Sequence, residues 1–213
     1  MSAIAIKICG LSTPATLDAA LKAGADLVGF VHFPRSPRHV GLEAGRLLSA
    51  RAKGRSERVV LLVDPDDALV AAAVAALDPD WIQLHGRETP ERVAAIRAAT
   101  GRPVMKAIGI ASRADLDAVA AHAARADRIL LDAKAPPGAD LPGGNGHAFD
   151  WALLDDAALP AGYMLSGGLT PETVADALAQ TGARAVDVSS GVETRPGEKS
   201  PDRIAAFIAA ARG

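Results

Sequence analysis

Ala3-Ile4-Ala5-Ile6-Lys7-Ile8-Cys9 is the first apolar run of the chain, and its alternation decides how the rest is read. A period of two puts Ile4, Ile6 and Ile8 on one face and Ala5, Lys7 and Cys9 on the other. Isoleucines opposite a lysine and a thiol suit a strand in a barrel wall, with the isoleucines against helices and Lys7 and Cys9 in the lumen. Cys9 then sits at the carboxyl end, where barrel chemistry is placed. It is the only cysteine in 213 residues and a candidate catalytic base. The alternative is a buried small hydrophobe.

Outward from this run, a short apolar strand, a turn and an alanine-rich amphipathic helix repeat eight times. Strands are expected at Ala3 to Cys9, Leu27 to Val31, Arg58 to Val63, Trp81 to Leu84, Val104 to Ala107, Arg128 to Asp132, Tyr163 to Ser166 and Ala185 to Val188. Helices are expected at Pro14 to Ala23, Glu43 to Ala52, Asp66 to Leu77, Pro90 to Thr100, Arg113 to Ala124, Pro171 to Gln180 and Asp202 to Ala211, with a short one near Trp151 to Leu154. Thr13-Pro14, Thr89-Pro90, Thr170-Pro171 and Ser200-Pro201 each set a capping hydroxyl before a proline at the first helical position. Gly24, Gly101 and Gly182 follow helical patterns, where a left-handed residue is wanted.

Roughly 27 residues per unit is what one strand, one helix and two turns need. Strict alternation implies a parallel sheet, so the expected architecture is α/β, a single (β/α)8 TIM barrel domain over residues 1–213. An open doubly wound sheet is the alternative. The glycine- and proline-rich segment from Ala133 to Phe149 is the one long irregular stretch, and loops of that kind often act as lids.

Composition narrows the function. The chain is 49% hydrophobic and 23% charged with a net charge of −2, and its basic residues are scattered, which gives no basis for nucleic-acid binding. A single cysteine excludes an internal disulfide framework, the start lacks a leader pattern, and no apolar run reaches a membrane span. The expectation is a soluble cytoplasmic protein, monomer or homodimer, with no membrane partner.

Several residues converge on the carboxyl rim. Asp132 ends the sixth strand as Cys9 ends the first, with Leu130 and Asp132 inward and Ile129 and Leu131 toward the helices. A thiol and a carboxyl facing each other across a barrel mouth suit one acid and one base acting on a small substrate. Asp132 alone reads equally as a loop cap. The turn Ser166-Gly167-Gly168-Leu169 after strand seven and the turn Ser189-Ser190-Gly191 after strand eight offer backbone N–H groups to an anion, where many barrels hold a phosphate. The loop from His32 to Val40 carries Arg35 and Arg38, and a guanidinium fork there suits a planar carboxylate; Arg35 reads as solvated surface.

In family order, Lys-Ile-Cys-Gly at 7–10, Gly24-Ala25-Asp26 through Gly29-Phe30, Ser36-Pro37-Arg38 and Gln83-Leu84-His85-Gly86 resemble the phosphoribosylanthranilate isomerase family of tryptophan biosynthesis. The resemblance continues through Asp132, Gly143-Gly144-Asn145-Gly146, Phe149-Asp150-Trp151, Ser166-Gly167-Gly168-Leu169 and Asp187 to Glu193, and so covers nearly the whole chain. It implies an Amadori rearrangement of an aminoaldose phosphate, phosphoribosylanthranilate, to an aminoketose phosphate. By the same resemblance Cys9 is the general base, Asp132 the general acid and Arg38 the carboxylate-binding residue. Gly167, Gly168, Ser189, Ser190 and Gly191 fall on the phosphate cradle. Two departures, Glu172-Thr173 where an asparagine is expected and Leu62-Val63-Asp64 where an aromatic is more usual, touch neither acid nor base.

Protonated Asp132 would open the sugar ring to a Schiff base, and Cys9 thiolate would take the C2′ proton. No cofactor is expected, because the protonated imine is the electron sink. Lys7, on the same face as Cys9, is expected to favour thiolate and to pair with Asp187, since strand eight lies beside strand one in a closed barrel. The alternative is that Lys7 only crosslinks the lumen. His85, at the end of strand four, reads as a supporting residue, by hydrogen bond or by substrate contact. His32, His39, His122 and His147 lack metal-ligand spacing, and no metal is expected.

A resemblance to the histidine-pathway isomerase would call for an aspartate at position 9, and one to a ribulose-phosphate epimerase for metal-binding histidines at strand ends; neither is present. A non-catalytic phosphate binder is disfavoured by intact Cys9 and Asp132, and a cysteine hydrolase by the lack of a placed histidine partner.

Overall fold

The computed structural model describes residues 4–136, 138, 141–144, 146 and 148–213. The opening run forms β1 (Ala5–Cys9); Ala3, at its expected start, lies outside the described residues. Ile6 and Ile8 are fully buried in the outer core between strands and helices, and Ile4 packs against them. Each such isoleucine contributes about 2 kcal/mol by burial, which holds the strand while its other face presents Lys7 and Cys9 to the lumen.

Seven further strands follow: β2 (Leu27–Val31), β3 (Glu57–Leu62), β4 (Trp81–Leu84), β5 (Val104–Ile110), β6 (Arg128–Ala133), β7 (Met164–Leu165) and β8 (Ala185–Val188). They pair in sequence order, all parallel, and β8 closes the ring against β1 with Lys7 opposite Asp187. The fold is a (β/α)8 TIM barrel. Leu27, Val59, Met105, Leu130 and Met164 fill one end of the lumen, and Cys9 packs with Val31 and Leu61 at the other. Leu130 lies in the lumen cluster and Ile129 and Leu131 in the outer core, as the alternation of strand six requires.

The helices among the described residues are α1 (Pro14–Ala23), α2 (Leu42–Ala52), α3 (Asp67–Leu77), α4 (Pro90–Thr100), α5 (Asp117–Ala123), α6 (Val174–Thr181) and α7 (Pro201–Arg212). Thr13, Thr89 and Ser200 each accept a backbone N–H three residues on, and Gly24, Gly101 and Gly182 close their helices in the left-handed region.

Some boundaries differ from expectation. The helix placed at Pro171 is regular from Val174, after a turn over 171–173 in which the Thr173 hydroxyl accepts the Thr170 N–H. β5 runs three residues past Ala107, since Ile108, Gly109 and Ile110 continue the ladder against Leu131, Asp132 and Ala133. β3 begins and ends one residue early, and Asp64 beyond it turns the chain with φ +46°. The fifth helix opens as a 3-10 turn at Arg113–Leu116, and the short sixth element, Trp151–Leu154, is wholly 3-10. After β8, a 3-10 turn at Ser190–Val192 leads into a small antiparallel hairpin, β9 (Glu193–Arg195) and β10 (Glu198–Lys199). No helix among the described residues is long and apolar enough to cross a membrane.

Candidate active site

A cavity of about 790 Å³, counted with its open mouth, sits at the carboxyl ends of the strands. Cys9, Arg38, His85 and Asp132 line it, as do the turn residues Gly167, Gly168, Ser189 and Ser190. The sequence-predicted acid, base, carboxylate and phosphate positions are thus brought into one pocket. Gly191 stands behind the lining: a Cβ there would fall 1.8 Å from the Leu169 carbonyl oxygen, so it is the residue that lets the turns after β7 and β8 pack together.

Beneath the thiol, Lys7 is completely buried and its Nζ donates to Asp187 Oδ1 at 2.7 Å. Ser166 Oγ donates to the other Asp187 oxygen at 3.3 Å. Burial by itself would lower the Lys7 pKa, but Asp187 and Cys9 more than reverse it and Lys7 stays charged. At Cys9, burial pushes the thiol up, and Lys7 opposes without overcoming it. The expected pull of Lys7 toward thiolate is present, yet desolvation is larger. β2 contributes Gly29 opposite Cys9; a Cβ there would lie 2.9 Å from Cys9 Sγ and 3.2 Å from Lys7 Nζ. Glycine is what leaves room for both groups.

Across the mouth, Asp132 is buried, with Oδ1 accepting the Ala133 N–H at 2.9 Å and Oδ2 3.1 Å from His85 Nε2. The other ring nitrogen of His85 lies 3.1 Å from Gln83 Nε2, and Gln83 is fully buried in the lumen. His85 therefore shares one hydrogen with Asp132 and is itself held by Gln83. Gly143, from the long irregular segment, covers this pair so closely that a Cβ would come within 2.6 Å of Asp132 Oδ2. Leu141, Pro142 and Gly144 line the cavity beside it, while Asn145 and His147 of that segment lie outside the described residues.

Arg38 is buried, and two of its three guanidinium nitrogens are already committed. Nε and Nη2 donate to Glu193 at 2.7 and 2.9 Å, and Nη2 also donates to the Gly144 carbonyl at 3.1 Å. The fork thus grips a protein carboxylate, a partner invisible in the sequence because 155 residues separate the two. Arg35 is exposed, as expected. No cluster of three or more metal-ligating side chains occurs among the described residues.

Residues 6–210 match the family model for N-(5'phosphoribosyl)anthranilate (PRA) isomerase. An N-(5'-phosphoribosyl)anthranilate isomerase of Azorhizobium caulinodans is 63% identical over 212 residues, which is 99% of this chain and 92% of that protein. The crystal structure of phosphoribosyl anthranilate isomerase from Thermotoga maritima superposes with a TM-score of 0.87 at 35% identity, covering 99% of each chain. A structure of such an isomerase in complex with reduced 1-(o-carboxyphenylamino)-1-deoxyribulose 5-phosphate gives a TM-score of 0.83 at 33% identity, again over 99% of each chain.

Proposed function

The chain belongs to the N-(5'-phosphoribosyl)anthranilate isomerase family, a set of tryptophan-biosynthetic enzymes, and we propose that it carries out this isomerisation with Cys9 as general base and Asp132 as general acid. The observation that carries the reading is a thiol and a carboxyl lining one cavity at the carboxyl ends of β1 and β6, with two glycine- and serine-rich turns beside them.

The substrate's phosphate sits against the Gly167-Gly168 and Ser189-Ser190 turns, and its carboxylate meets Arg38. Asp132, protonated, gives its proton to the furanose oxygen; the C1′–O bond breaks and the anilinic nitrogen becomes a protonated imine. Cys9 Sγ takes the C2′ proton, and the C–H electron pair flows into the imine to form an enolamine, which tautomerises to the ketone. The cationic imine beside Sγ supplies, at the moment of reaction, the positive charge that Lys7 alone does not provide against burial. Gly143 covers the acid and so keeps water from the imine.

Cys9 comes from the first strand and Asp187 from the last, so the chain works as one barrel domain. A thiol base works reduced and so favours a reducing compartment, which supports a cytoplasmic location. Leu47 is the one large apolar side chain exposed among the described residues, which favours a monomer.

Calorimetric titration with the reduced product analogue tests the site. Binding is expected to weaken when Ser190→Asp brings negative charge to the phosphate turn; affinity unchanged by that substitution would remove the phosphate from this end of the cavity.

A further inference from the structure

A buried chain of charges runs behind the carboxylate end of the cavity. Glu193, gripped by Arg38, also accepts from Lys199 Nζ at 2.6 Å. Lys199 Nζ donates in addition to the Ser189 carbonyl at 2.9 Å and to Ser189 Oγ at 3.0 Å, and that hydroxyl donates to the Cys9 carbonyl at 3.2 Å. The side chains of Arg38, Glu193 and Lys199 are 6%, 4% and 1% exposed. Burial by itself would raise the Glu193 pKa, but Arg38 and Lys199 hold it below the usual range; burial, reinforced by the charge on Arg38, lowers Lys199.

Two consequences follow from this geometry. With Nε and Nη2 of Arg38 taken, Nη1 is the nitrogen left without a partner among the described residues, and it lies at Gly144 on the cavity wall. The three side chains also hold two cations against one anion, so the group retains a positive charge that a bound anion balances at low dielectric cost.

We propose that Glu193 and Lys199 are positioning residues for the substrate carboxylate: Glu193 grips Arg38 at two points and turns Nη1 toward the carboxylate, while Lys199 ties Glu193 to the Ser189 phosphate turn. The carboxylate is then met end-on by one nitrogen, and both anionic ends of the substrate are located from a single buried group. This rests on the reading of Arg38 as the carboxylate-binding residue.

The test measures steady-state kinetics on phosphoribosylanthranilate and on the phosphoribosyl-aniline analogue, which lacks the carboxylate. Wild type is compared with Arg38→Met, Glu193→Gln and the pair Glu193→Gln with Lys199→Met; the pair avoids leaving two buried cations face to face. Glu193→Gln and the paired variant are expected to lose kcat/KM on the carboxylated substrate by about ten- to a hundredfold, chiefly through KM, with about threefold change or less on the analogue. Equal losses on both compounds, which a merely structural role would give, or no loss on either, overturn the assignment. If Arg38→Met itself fails to discriminate between the compounds, its carboxylate role falls and takes the inference with it. A wild type that turns over neither compound overturns the isomerase reading itself.

Discussion

Lys7 Nζ and Asp187 Oδ1 lie 2.7 Å apart across 180 residues of sequence, at the seam where the last strand closes against the first. The pair sits directly below Cys9, so one contact both joins the ends of the barrel and sets the charge under the thiol.

Lys7→Met leaves Asp187 as a buried, uncompensated charge. A loss of about 3 kcal/mol of unfolding free energy is expected at pH 7 by denaturant titration, because breaking a buried pair costs far more than the pair contributes. A loss below about 1 kcal/mol would mean that water reaches Asp187.

Ultraviolet thiolate absorbance, taken as the difference from Cys9→Ser, reads the ionisation of this cysteine directly. Burial raises the thiol, so the signal should appear only above the ordinary thiol range near ~8.5. Lys7→Met removes the cation that opposes the rise, and the titration should move further toward alkaline pH. A titration left in place would confine Lys7 to crosslinking the lumen.

Gly29→Ala would press a methyl group against Cys9 Sγ and Lys7 Nζ. A fall in kcat of about a hundredfold with a folded circular-dichroism spectrum is expected, the scale of a misplaced reacting group. Unchanged kcat would show that the thiol has room to move aside.

Asp115 ties the turn after β5 to Lys134 and accepts the Ala111 and Ser112 N–H groups. Burial by itself would raise its pKa, but Lys134 and these donors hold it down at about 2. A depressed carboxylate adds stability above its unfolded pKa of ~3.9 and loses it as pH falls toward 2, so Asp115→Asn should cost about 2 kcal/mol at pH 7 and little near pH 2. A cost independent of pH would point to packing alone.

Much of this was legible in the sequence because it depends on local period. The alternation of β1 and β6 placed Cys9 and Asp132 in the lumen, and strand order alone paired Lys7 with Asp187. Hidden features depend on distant neighbours. Glu193 and Lys199 gave no spacing signal toward Arg38, and Gly29 and Gly143 belong to matched segments whose sequence does not show that they lie against the Cys9 thiol and the His85–Asp132 pair. At α6, Thr170-Pro171 carried a helix-start signal, and the first turn there is capped by Thr173, with regular helix from Val174. Gln83 opens the matched segment Gln83-Leu84-His85-Gly86, but only its burial beside the histidine shows that it holds the ring.

The most direct measurement follows the fluorescence of freshly made phosphoribosylanthranilate with wild type, Cys9→Ser and Asp132→Asn. Rapid decay with wild type, lost in both variants while the reduced product analogue still binds, is the predicted result. Rapid decay that survives either substitution would contradict the assignment of base and acid to this thiol and this carboxyl.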